Sequence, residues 1–126
     1  MRLLKIIGLT LGIGAGLYFL FILFMVISPS LDNYFSRTDF DSDKWKNWKM
    51  TENEITLRWD MTHDLQEDHV LNGMTEEEII ELLGQPESKK IEWTYDLGMA
   101  RRGIDTGTLS LTFENGKVKT HHVRIG

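Results

Sequence analysis

The sequence contains no cysteine. Disulfides, thiolate zinc sites, a cysteine nucleophile and a lipidated N-terminal cysteine are therefore excluded. The absence says nothing of compartment, because an extracytoplasmic domain need not carry disulfides. There is no Ser/His/Asp spacing, no phosphate-cradling glycine loop and no HExxH. The residues thus supply no catalytic group, no cofactor site and no metal site, and the expectation is a protein that is not an enzyme. Acidic residues are missing before Asp32, and charge of either sign is missing from Ile6 to Ile27. Proline occurs twice only. With 41% hydrophobic residues and four tryptophans, the composition is that of a folded chain. A length of 126 residues suits one ordinary domain.

The charge is unevenly placed. The 14 basic residues less Arg2 and Lys5 leave 12 against 19 acidic ones from Asp32 onward, a net −7, compared with −5 for the whole chain. So acidic a body is a poor nucleic-acid binder, since phosphates demand net positive surface.

The uncharged run Ile6–Ile27, as a helix, reaches about 33 Å, enough to cross a hydrocarbon core of roughly 30 Å. The expected partner of residues 6–27 is the lipid bilayer. Gly8, Gly12 and Gly16 line one face, and Gly12 to Gly16 is the GxxxG spacing that lets helices pack closely in lipid; small residues are also common in such segments. The apolar run is long for a signal peptide, and Pro29 would follow a cut after Ser28, so an uncleaved anchor is expected. Arg2 and Lys5 precede the helix, while Asp32, Asp39, Asp41 and Asp43 follow it. This bias keeps the N-terminus in the cytoplasm and puts the body outside. The expectation is a single-pass protein of the cell membrane.

The chain divides into an anchor (1–30), a tether with first contacts (31–50) and a folded domain (51–126). Pro29 is expected to break the first helix. Trp45 and Trp48, three apart, suggest a short helical contact onto a core. Thr51 with Glu54 suggests a capping box, and a helix is expected at least over Arg58–Asp68. Thr75 with Glu78 forms a second capping box, and Met74 is placed to staple onto Ile79. Ile79, Leu82 and Leu83 form that helix's buried stripe. Gly84 and Pro86 end it.

Three strands follow. Ile91, Trp93, Tyr95 and Leu97 share a face, and so do Leu109, Leu111 and Phe113. Asn115-Gly116 marks a type I′ hairpin turn, and Val118–Ile125 returns. Counted from that turn, Glu114 faces Lys117, Phe113 faces Val118, Leu111 faces Thr120 and Leu109 faces His122. Thr112 then meets Lys119 and Ser110 meets His121. This register puts His122 on the apolar side and Val123 and Ile125 on the polar one. The fold class is α+β: two helices packed on a three-stranded antiparallel β-meander, preceded by one N-terminal transmembrane helix.

The run Leu71-Asn72-Gly73-Met74-Thr75-Glu76-Glu77-Glu78-Ile79-Ile80-Glu81-Leu82-Leu83-Gly84-Gln85-Pro86 resembles the signature of the BamE (SmpA/OmlA) domain family. Tyr95, Leu97, Gly98, Gly103-Ile104-Asp105 and the closing Leu111–Val118 hairpin look like a variant of it. The similar part runs from about Arg58 to Ile125. The resemblance implies a non-enzymatic domain of the bacterial cell envelope that works by protein contacts, as an adaptor or scaffold with an envelope protein partner. In the family's namesake such a domain supports a machine that folds outer-membrane β-barrels. The missing lipobox cysteine departs from that pattern. A small-ligand or lipid-headgroup binding module is the alternative.

The histidines are poorly placed for metal. His121 and His122 are neighbours on a strand and point to opposite faces. His63 with Asp60 and Glu67 shares a helix face, which reads as a solvated acidic face rather than a cation site. The Gly98–Thr106 loop is longer than the roughly 2–5 residues usual in a hairpin. Arg101 and Arg102 stand together in it, able to clamp an anion or to pair with Asp96 or Asp105. The candidate partner-binding residues are Arg101, Arg102, Asp105, Val123 and Ile125.

Overall fold

The computed structural model describes residues 1–101 and 104–126, apart from the side chain of residue 29. It comprises two compact units, Met1–Phe35 and Ser36–Gly126. The first is a single helix, α1 (Arg2–Phe35), of 34 residues and about 51 Å. Its apolar side chains are uncovered along its length, and it is long and apolar enough to cross a membrane. The expected break at Pro29 does not occur. A proline withdraws a single N–H from a helix interior, and here the helix runs on to Phe35.

In the second unit, the tether is packed rather than loose. The Thr38 amide donates to the Asp60 carbonyl (3.0 Å), and the Phe40 amide donates to Asp64 Oδ2 (2.6 Å). Asp41 caps the short helix α2 (Ser42–Lys46) by accepting from the Lys44 amide (2.9 Å). This turn buries Trp45 completely. Helix α3 (Leu57–Asp68) matches the expected span. The Thr51–Glu54 capping box does not form, because the Thr51 carbonyl takes the Glu54 amide in a turn (3.1 Å).

Helix α4 (Glu76–Leu83) has the complete box: Thr75 Oγ1 accepts from the Glu78 amide, and the Glu78 carboxylate accepts from the Thr75 amide, both at 3.2 Å. Ile79 and Leu83 are buried, whereas Leu82 is only half-buried at the margin of the core. Gly84 leaves the helix at φ +77°, and its carbonyl takes the buried Tyr95 hydroxyl (2.8 Å).

Strands β1 (Trp93–Met99), β2 (Thr106–Glu114) and β3 (Lys117–Ile125) form the antiparallel meander in sequence order. Trp93, Tyr95, Leu97, Leu109, Leu111 and Val118 face the helices and build the core with Trp45, Met61, Leu65, Ile79 and Leu83. Ile91 does not join them; it is 98% exposed. The chain turns back before β1, with Glu87 and Ser88 bonded to Thr94, and leaves Ile91 on the outside of that turn.

Asn115 (φ +54°) and Gly116 (φ +75°) form the turn the sequence specifies. Glu114 still faces Lys117 and Phe113 faces Val118, but the register then shifts by one residue between Thr112 and Phe113. Lys119 is the extra residue, a β-bulge. Beyond it Thr112 faces Thr120, Leu111 faces His121, Ser110 faces His122 and Leu109 faces Val123. His121, not His122, therefore lies on the helix side, and Val123 packs against the core. The ion pair of Glu114 goes to Lys119 (2.9 Å).

Candidate interaction surface

Two arginines organise the body from within. Arg58, near the start of α3, is 5% exposed, with its guanidinium carbon 5.0 Å from the Trp45 ring and 4.7 Å from the Trp48 ring. Its Nε donates to the Trp45 carbonyl (3.0 Å), and its Nη1 donates to Glu87 Oε1 (3.0 Å) and the Asp96 carbonyl (2.8 Å). One side chain thus joins α2, α3, the loop after α4 and β1. A stacked, forked cation is what this place requires, and lysine would not substitute.

Arg101 makes the second link. Its Nε donates to Asp60 Oδ1 (2.7 Å) and its Nη2 to Asp60 Oδ2 (2.9 Å) and Thr56 Oγ1 (3.2 Å). The Thr56 hydroxyl in turn donates to Asp60 Oδ2 (3.1 Å). This partner is a carboxylate in the first turn of α3, 41 residues away, and not one of the acids near Arg101 in the sequence. The bidentate pair pins the β1–β2 connection to the helix. One pair before that connection leaves the sheet, Gly98 (φ +74°) faces Gly107. A Cβ at Gly98 would collide with the Ile55 carbonyl, and one at Gly107 would lie 2.7 Å from the Trp59 ring. These two glycines let the 51–56 turn and Trp59 close onto the sheet.

The remaining candidate residues separate. Arg102 lies outside the described residues. Asp105 is exposed, and its carbonyl accepts from the Ala100 amide (2.9 Å). Ile104 beside it is 89% exposed. Val123 is half-buried on the helix side, and Ile125 follows it on that side, opposite Gly107, 41% exposed. The bulge thus places both apolar residues on the face opposite to the one expected. The helix-face group His63, Asp60 and Glu67 is also not a cluster: Asp60 is taken by Arg101, and His63 Nε2 lies 3.2 Å from Arg37 Nη1.

Two carboxylates further along α3 influence each other. Asp64 is held below its ordinary pKa, first by the Phe40 amide and then by its hydrogen bond with Asp68. Asp68 is raised, first by that same hydrogen bond and then by the negative charge of Asp64. Burial and the nearby Glu87 carboxylate raise the Tyr95 hydroxyl, which stays a neutral donor.

The body also carries open depressions. One of about 400 Å³ lies between α2 and α4, lined by Ser42, Lys46, Met74, Glu78, Glu81 and Leu82. Another of about 310 Å³ lies beside the exposed Ile91, with Lys90, Glu92 and Arg124.

The sequence carried no sign of the roles of Arg58 and Asp60, since the groups they meet are far along the chain. No family model, no curated protein and no solved structure matches the chain.

Proposed function

We propose that the chain is a single-pass membrane protein, anchored by uncleaved α1 with its N-terminus in the cytoplasm, whose second unit is an extracytoplasmic adaptor or scaffold domain binding another envelope protein. The observation that carries the reading is the disposition of the body's surface. Arg58 and Arg101 are spent on internal links, while Ile104 and Ile125, large apolar side chains, stand exposed around the sheet. Exposed apolar anchors among polar groups are what a protein contact uses. The basic flank of α1 and the acids after it support the orientation. The order of helix α4 followed by three antiparallel strands supports the resemblance to the BamE (SmpA/OmlA) family, which this reading includes.

Two measurements test it. Protease added to sealed spheroplasts should remove the body and spare α1, and mass spectrometry of the intact protein should find Arg2 and Lys5 still attached. A mature form beginning near Pro29, or a body protected from outside protease, sinks the anchor and its orientation. Affinity purification of the full chain from detergent-solubilised membranes should retain one partner in fixed stoichiometry, and its absence across several mild detergents sinks the adaptor reading.

A further inference from the structure

Strand β3 is an edge, and most of that edge is uncovered. At its start the outward groups of Val118 are used: its amide donates to the Met74 carbonyl (2.9 Å) and its carbonyl accepts from the Gly73 amide (2.8 Å). At its end the Gly126 amide donates to the Thr106 carbonyl (3.0 Å). Counting back by twos from that bond, Arg124, His122 and Thr120 turn their backbone groups toward β2. Ile125, Val123 and His121 therefore turn theirs away from the sheet. Among the described residues no backbone group meets them. The other edge of the sheet differs, since Ser88 and Ile55 bond to β1 there.

The geometry points to β3 as the docking edge for an extended, acidic segment of a partner protein, which adds to the sheet as a fourth strand; this deepens the adaptor reading and rests on it. A strand laid along β3 alternates its side chains between two different surroundings. On the helix side it meets Val123 and Ile125, which are incompletely covered. On the other side it meets Thr120, His122 and Arg124. Arg124 holds Glu92 and Ser110 through Nη2 alone, with 57% of its side chain exposed. The segment that fits alternates apolar with acidic residues.

Charge selects the occupant. The unit Ser36–Gly126 holds 12 basic residues and 18 of the acidic ones, all but Asp32, for a net −6. Strand β3 has Lys117, Lys119 and Arg124 and no acid, so it carries +3 and the rest carries −9. The net charge of the unit repels an acidic ligand, and the cations of this strand draw it: Lys119 and Arg124 hold Glu114 and Glu92 yet keep more than half of each side chain exposed. Lys44, Lys46 and Lys49 are equally dense, but they lie on and after helix α2, which offers no strand edge. A second copy would bring two +3 strands together. Edge lysines also deter aggregation, but they do not repel an acidic strand.

The test uses the full chain in phosphatidylcholine nanodiscs and a labelled synthetic peptide of alternating valine and glutamate. Its twin carries lysine in place of glutamate. Hydrogen exchange reads the amides of His121, Val123 and Ile125, and fluorescence anisotropy reads affinity. The valine–glutamate peptide should bind, slow exchange at those three amides, and weaken as salt rises. The twin should bind at least about tenfold more weakly. Val123→Pro, which removes one outward N–H, should weaken binding about tenfold, and so should Lys117→Glu combined with Lys119→Glu, both surface changes. The proposal is overturned if the peptide leaves the edge amides unprotected, or if the twin binds equally. It is overturned equally if the edge becomes protected without peptide, either as protein concentration rises (a second copy) or on adding phosphatidylglycerol vesicles (a lipid surface). A native partner retained undiminished by both edge variants would defeat the edge while leaving the adaptor reading intact. Peptide binding with no native partner in any membrane extract would do the reverse.

Discussion

Replacing Arg101 by alanine tests how the β1–β2 connection is held. Asp60 is 10% exposed at its side chain and Arg101 27%, so the pair lies between a solvated surface bridge and a buried one. Exposed pairs contribute about 0–1 kcal/mol, whereas breaking a buried pair costs about 3–5 kcal/mol, because the charge left behind has lost its partner. For this geometry, with two parallel bonds and Thr56 still able to donate to Asp60, Arg101→Ala should cost about 2–3 kcal/mol. The assay is urea unfolding of the full chain in detergent, followed by tryptophan fluorescence; all four tryptophans lie in the second unit. On a body of this size each kcal/mol corresponds to about 4–8 °C in Tm. Arg101→Lys keeps the charge, loses the fork and should recover only part of the loss. The discriminating measurement is the cycle with Asp60→Ala: the double variant should be more stable than the sum of the single losses predicts, by about 1–2 kcal/mol. Strict additivity would show that the two side chains do not act on each other and that the loop is held by something else.

Helix α4 offers a second comparison: Thr75→Ala should cost about 0.5–2 kcal/mol through the lost cap and Leu83→Ala about 2–5 kcal/mol, while Leu82→Ala, half-exposed, should cost clearly less than Leu83→Ala in the same urea melts. Gly107→Ala drives a methyl group into the Trp59 ring and should cost about 1–3 kcal/mol, with a changed Trp59 environment by fluorescence; an unperturbed variant would contradict the close approach. For pH, Asp64 has a folded pKa depressed below its ordinary 3.8. Its contribution is therefore complete above that value and lost as pH falls through the lower folded one. Asp68 has the opposite sign, protonating earlier as pH falls and keeping the proton between the two carboxyls. Hydrogen exchange at the Phe40 amide, corrected for the intrinsic rate, should stay protected down to pH 4 and open below it; opening already at pH 5–6 would contradict the assignment.

What could be read from the sequence depended on distance along the chain. The ends of helix α4 were legible to the residue because its start and stop signals all lie within thirteen positions, from Met74 to Gly84 and Pro86. The hairpin turn was legible because Asn-Gly supplies two positive φ angles at adjacent residues. Arg101 was visible as an unusual cation, but its partner sits 41 residues away on another element, and nothing local singles out Asp60 from the other acids. The continuation of α1 past Pro29 was missed for a related reason: a proline removes one bond from a helix that many others hold.

The β3 register is the case where a local count carried an error outward. Counting by twos from Asn115-Gly116 treats every strand position as a consequence of the turn. One inserted residue then reverses the face of everything beyond it. The sequence did hold the contrary sign. Val118 is at an even position, while Val123 and Ile125, the next apolar residues of the strand, are at odd ones. No uninterrupted strand puts all three on one face. Burial of Val118 and Val123 on the same side requires one residue between them to be left out of the pleat, and the exposed Lys119 is the residue that can be left out at no loss of core. The bulge satisfies the hydrophobic pattern at both ends of the strand, and the turn alone satisfies it at one. It also sets which backbone groups face outward: with the extra residue in place, the side chains that turn toward the core margin and the amides that turn away from the sheet belong to the same three residues, His121, Val123 and Ile125.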